Sequence, residues 1–246
     1  MNCIGLNHQT SYIGKTHIKD KRMIRYLYIV FIAITAINCK NEIENNHQTP
    51  NEKSVSKSES HQTILAETIG DLDNDGIEEK IIIYHTDIET DFGKERKLCF
   101  YKKNKGHWEL WKESIGAVLP SEHGGVFGDA FVGIVIEENN IRVNHFGGSS
   151  TKWYYQHNYK LIEGEFKLTN FRIQFGSHCP YIEKYSCDLS TGKFIHEKEI
   201  GNCDSNNPDI IKKEAFYKIS KLPKMNGFYP GDNKIDLPNI SSELYY

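Results

Sequence analysis

The sequence has no run of about 20 apolar residues, the length that a membrane-crossing helix needs. Its longest run, Tyr26 to Ile37, is about a dozen residues. It has no basic excess: the net charge is -3. Nucleic acid is therefore set aside as a partner. No Cys-x-x-Cys or paired-histidine spacing occurs, which argues against zinc. No Gly-x-Ser-x-Gly occurs, so the shaped elbow of a serine nucleophile is missing. No segment repeats at blade length, which argues against a propeller. Helix patterns are scarce.

What is present begins with aromatics, 12% of the 246 residues and led by 14 Tyr and 12 Phe. Such residues suit pleated, half-buried surfaces and lean the chain toward β structure. Short apolar runs alternate with turn signals from Ile64 onward. Ile81–Tyr84 and Lys97–Tyr101 are two such runs. Phe131–Ile136 and Ile141–His145 flank an Asn-rich link and predict a hairpin. In Lys152–Leu161, residues Trp153, Tyr155, His157, Tyr159 and Leu161 share one face and polar residues share the other. That period predicts an antiparallel strand with one wet face. After the turn at Glu163-Gly164, the apolar phase slips by one near Thr169-Asn170, which predicts a β-bulge. The one helix expected is Asp209–Ser220, with Asp209 as its cap. Beyond Pro223 the composition suggests irregular chain. The fold expected is mainly β: an antiparallel meander forming a sandwich or partial barrel, with one short C-terminal helix.

The first 38 residues read as an address. Lys19, Lys21, Arg22 and Arg25 precede the short apolar run, whose length suits a secretory signal core of about 7–15 residues. Met23 would begin a compact signal of its own. Thr35-Ala36-Ile37-Asn38-Cys39 resembles the lipobox of bacterial lipoproteins, with Asn38 where Gly, Ala or Ser is usual. The resemblance implies that Cys39 becomes a lipidated N-terminus. Acyl chains contribute about 0.8 kcal/mol per buried methylene, so two or more anchor stably. Residues 39–62, rich in Asn, Glu, Ser and Lys, predict a disordered tether. Such a tether reaches on the order of 25–30 Å. Residues 63–246 would form a single β-rich domain.

Gly70-Asp71-Leu72-Asp73-Asn74-Asp75-Gly76-Ile77-Glu78-Glu79 carries the sharpest chemical pattern. Asp71, Asp73, Asp75 and Glu79 sit at positions 1, 3, 5 and 9 of a loop, with Gly76 at the bend; the Ile77 carbonyl would add a ligand. Hard cations such as calcium take about six to eight oxygens from loops of this kind. Position 12 is Ile82, so the loop is not an EF-hand. Its spacing between two strands resembles the FG-GAP and VCBS-type calcium loops of extracellular β proteins, with Glu79 where Asp is common. The resemblance implies a structural calcium. The chain also looks like uncharacterised exported lipoproteins, which implies no activity.

Export would place Cys99, Cys179, Cys187 and Cys203 in an oxidising space, with three pairings open. Cys179–Cys187 closes the shortest loop, which suggests Cys99–Cys203 as its companion. Two glycine-rich stretches, Glu122–Asp129 and His145–Ser150, offer His123, His145 and Asp129 to a hydrolase centre, though ordinary loop composition explains them more simply. Trp108 and Trp111, with Tyr154, could form a platform for sugar or peptide, or could be core.

These readings give an envelope-anchored, membrane-attached lipoprotein, periplasmic or surface-facing, whose calcium-steadied β domain binds a protein or glycan. The sequence favours a non-enzymatic role. The alternatives are an exported hydrolase using a His/Asp pair, and an inhibitor or immunity-type lipoprotein.

Overall fold

The computed structural model describes residues 63–177, 181–201, 209–237 and 240–246. These lie in the second of two compact units, Ser58–Tyr246. The signal region 1–38, the tether 39–62 with Cys39, and Cys179 and Cys203 lie outside the described residues.

Two antiparallel meanders make up the fold. The first joins β1 (Ile64–Gly70), β2 (Glu79–Thr90), β3 (Gly93–Asn104) and β4 (His107–Ile115) in chain order. The second runs through β5 (Phe131–Glu137), β6 (Asn140–Gly148), β7 (Lys152–Ile162), β8 (Glu165–Ser177), β9 (Tyr181–Asp188), β10 (Lys193–Ile200) and β11 (Asp209–Phe216). A small hairpin, β12 (Lys234–Leu237) and β13 (Ser241–Tyr245), follows.

Local chemistry sets these elements. Glu138 and Asn139 both have positive φ, 49° and 63°, in the two-residue link between β5 and β6. Glu163 and Gly164 do the same between β7 and β8, at 52° and 75°. Paired positive φ is the mark of a type I′ turn, whose twist matches that of the strands it joins. The slip predicted near Thr169 is present: Asn158 pairs with Asn170 and Tyr159 with Leu168, which leaves Thr169 as the extra residue. Its hydroxyl donates to the carbonyl of Asn158 at 3.1 Å. The bulge lets Leu168 and Phe171 both enter the core.

One core serves both sheets. Ile81, Ile83, Leu98 and Phe100 of the first meet Ile141, Val143, Tyr159, Phe166 and Leu168 of the second. Phe100 stacks on Phe166 with ring centroids 4.5 Å apart. The sheets approach closely where β1 meets β5. A Cβ on Gly70 would lie 2.7 Å from Ile136, so only glycine fits there.

Two expectations are corrected. Asp209–Ser220 is not a helix, and no helix occurs among the described residues. Its first eight residues form β11, paired along their length with β10. A helix of about 12 residues is marginal unless packing holds it. Here Ile210 and Ile211 are β-branched, and the β10 edge offers a full row of backbone partners. Lys212 pairs with Glu197 at 2.9 Å and Lys193 with Glu214 at 3.3 Å across the strands. Beyond Pro223 the chain is more ordered than its composition suggests. Met225, Phe228, Ile235, Leu237, Leu244 and Tyr246 are all core residues.

Candidate functional site

The acidic loop joins β1 to β2, and its side chains first serve the turn. Asp71 accepts from the amides of Asn74 and Gly76, at 2.6 and 3.0 Å. Asp75 accepts from the amide of Ile77 at 2.7 Å. Glu79 accepts from the amide of Leu72 at 2.8 Å, which pins buried Leu72 into the core. Asn139, in the β5–β6 turn, donates to the Asp71 carbonyl at 2.9 Å and ties the loop to the second sheet.

The same loop gathers charge. Asp71, Asp73 and Glu79 each bring one oxygen to a common point, within 4.8 Å of one another. Asp75 is not in that group, and Ile77 is half exposed. At about 5 Å and an effective dielectric near 20, each like-charge pair costs about 3 kcal/mol. Lys102, opposite Glu79 on β3, relieves this: its ammonium bonds Asp73 and lies 3.5 Å from Glu79. The ammonium also sits 4.3 Å from the ring centre of Trp111. Burial raises the Glu79 pKa, and the Leu72 amide and Lys102 pull it back only in part. One oxygen of Asp73 is buried without a hydrogen-bond partner. The sequence does not point to Lys102, because a lysine within a surface-like KKN run gives no sign that it faces the acidic loop.

The glycine-rich stretches zip together. Gly148 donates to the Gly124 carbonyl at 3.0 Å, Val126 to Gly148 at 3.2 Å, and Phe146 to Ala130 at 2.8 Å. They do not assemble a His/Asp pair of their own. Asp129 is held by Arg96, and fully buried His145 accepts from the amide of Leu119 at 3.2 Å. Burial drives the His145 pKa well below the usual histidine range, with neighbouring His157 and Arg96 adding to the effect.

His123 lies elsewhere, on the wall of a pocket of about 280 Å³. The floor is Trp153 and Tyr155, alternate residues of β7, stacked at 5.0 Å and 27°. Phe92 packs on His123 at 4.3 Å to form one side. Pro230, Gly231, Asp232 and Glu122 also line the pocket. A Cβ on Gly147 would meet the Trp153 ring at 2.3 Å, so glycine there lets the indole lie against the strand. Burial lowers the His123 pKa, and the Asp232 charge opposes that shift. Burial raises the Tyr155 pKa, with Asp232 adding to it. The sequence places Trp153 and Tyr155 on one face but gives no hint that Asp232, over 75 residues away, completes the pocket.

A larger groove of about 480 Å³ lies on the polar side of the second sheet, lined by Arg142, Asn158, Asn170 and their neighbours. The residues that line it are all polar or charged, and no aromatic ring is among them. Trp108 and Trp111 do not share a platform. Trp111 stands edge-on to Phe166 in the core margin, while Trp108 lies between Lys80 and Lys103. Tyr154 donates to Asn144 at 2.8 Å. Cys99 and Cys187 are buried free thiols; burial pushes the Cys99 pKa to about 11 and raises that of Cys187.

No family model matches the chain, and neither the curated proteins nor the solved structures give a match.

Proposed function

We propose that the protein is an envelope-anchored lipoprotein whose β-rich domain, a sandwich or partial barrel, is a binding module. Cys39 would carry the anchor and residues 39–62 would hold the domain clear of the membrane, facing the periplasm or the cell exterior. The observation that supports a binding role best is the aromatic pocket. Aromatic rings and a few polar groups line it together. Ligand sites are built in this way, with apolar area for affinity and a few placed polar groups for orientation.

The hydrolase alternative finds less support. Of its residues, Asp129 and His145 are committed to structural bonds, so neither is free for the His/Asp pair that reading calls for.

Calcium at the β1–β2 loop belongs to the same reading. Asp71, Asp73 and Glu79 fit a hard cation: all are oxygen donors, they converge, and Asp73 keeps an unpartnered buried oxygen. The ion would neutralise the cluster in place of the Lys102 ammonium and would be structural.

Fractionation of cells expressing wild type and Cys39→Ala tests the anchor. The wild type should partition with membranes and the variant should be released. Equal membrane association would overturn the anchoring half of the proposal. Ligand-induced change in the Trp153 environment tests the other half.

A further inference from the structure

We propose that the aromatic pocket binds an organic cation, an alkylammonium or quaternary ammonium group; this rests on the reading of that pocket as the ligand site. Three observations converge on it.

The first is the surface. Trp153 and Tyr155, stacked on each other, bring two rings to the pocket, and Phe92 adds a third. Aromatic faces are electron-rich and attract cations, tryptophan most strongly. Gly147 fixes this arrangement, because any larger residue would push the indole away from the strand.

The second is charge. Glu122 and Asp232 both line the pocket, and no lysine or arginine does. Neither carboxylate has an ion-pair or hydrogen-bond partner among the described residues. Some carboxylates elsewhere on the domain are paired, Glu183 with Lys198 and Glu113 with Lys97, while others such as Glu67 and Asp91 have no partner among the described residues; what distinguishes Glu122 and Asp232 is that they share one pocket with aromatic rings. His123 does not supply the missing charge. Burial holds its imidazole below the ordinary histidine pKa, which favours the neutral ring. The pocket therefore has two exposed acidic side chains and no lysine or arginine beside its aromatic rings.

The third is size. A volume of about 280 Å³ admits a trimethylammonium head with a short tail. An anion would be repelled by both acids. A neutral sugar could stack on the floor but would leave the two charges unanswered.

The test uses full-length protein in detergent, with choline and its neutral isostere 3,3-dimethylbutan-1-ol as probes. The two have nearly the same shape and differ in charge. Binding is followed by calorimetry and by the Trp153 indole resonance. Choline should bind at least tenfold more tightly than the alcohol. Glu122→Gln and Asp232→Asn should each weaken choline severalfold and leave the alcohol unchanged, and Trp153→Leu should weaken both. Raised salt should weaken choline alone. Equal affinity for the two probes would overturn the cation assignment and leave the pocket as a binding site. So would a neutral monosaccharide that shifts the Trp153 resonance when choline does not. If no probe perturbs Trp153, both the cation assignment and the pocket reading fail.

Discussion

Arg96 and Asp129 form a bidentate ion pair whose two halves live in different surroundings. The guanidinium is fully buried and the carboxylate is 42% exposed. Arg96 Nη1 donates to Asp129 Oδ1 at 2.9 Å and to the Leu119 carbonyl at 3.0 Å, and Nη2 bonds Oδ2. Burial acts to raise the Asp129 pKa, but the Arg96 bonds and the amide of Phe131 outweigh it, so the carboxyl is held below its usual range. The asymmetry sets a prediction. Asp129→Ala strands a buried cation and should cost about 3–5 kcal/mol. Arg96→Met removes the buried charge and leaves a carboxylate that water can reach, so it should cost clearly less. Urea unfolding of the two variants measures the difference; equal losses would contradict it.

Acid should unfold this protein through its histidines. His157 is fully buried, and neither ring nitrogen has a hydrogen-bond partner. Burial lowers its pKa to about 3. In the unfolded chain it titrates near about 6.5. Between those values the unfolded state holds more protons, so stability present above pH 6.5 is lost as pH falls. The loss from this group alone approaches about 5 kcal/mol near pH 3. His145, shifted in the same direction, adds to it. His157→Phe, set among Phe228, Phe171 and Tyr159, should move the acid midpoint to lower pH when followed by tryptophan fluorescence.

Lys102 competes with any metal for the acidic loop. Lys102→Met should lower the melting temperature in EDTA, because the carboxylates lose their counter-charge. In millimolar calcium the same variant should recover more than wild type gains. An ion that binds only the folded state adds RT ln(1 + [L]/Kd). Asp73→Ala should abolish the calcium response. Identical melts in EDTA and calcium for both wild type and Lys102→Met would show that the loop is held by Lys102 alone.

The turn between β3 and β4 leaves room for improvement. Lys105 and Gly106 have φ of 48° and 85°, the type I′ pattern, and lysine pays a steric cost there that asparagine largely avoids. Lys105→Asn should stabilise by about 0.5 kcal/mol, or roughly 1–2 °C in melting temperature for a domain of this size.

Much of the second sheet was legible because side-chain alternation and turn chemistry are local. The Phe131–His145 hairpin, the Trp153 face and the slip near Thr169 each follow from a few adjacent residues. The helix expected at Asp209 failed because a 12-residue window contains both periods, and the β10 edge decided between them. The site was less legible for a different reason. Asp71, Asp73 and Glu79 announce themselves by spacing, but Lys102 and Arg96 gain their roles from strand register, which the sequence does not display. The aromatic pocket draws on the tip of the β2–β3 hairpin, a glycine-rich loop, β7 and the chain beyond Pro223. Only tertiary contact unites them.

That last segment also bears on when the molecule becomes a folded object. Pro223 and Met225 pair with the backbone of β8, Gly227 pairs with the end of β4, and Tyr246 stacks on Phe171 at 4.6 Å. The seam between the sheets is therefore closed by residues made after both sheets. A chain emerging from the ribosome can form hairpins early, but its core stays unsealed until the segment from 223 to 246 is free. Closure of the domain is thereby tied to that segment: a chain shortened before Pro223 would keep both sets of hairpins and lose the contacts that hold β4 and β8 to it.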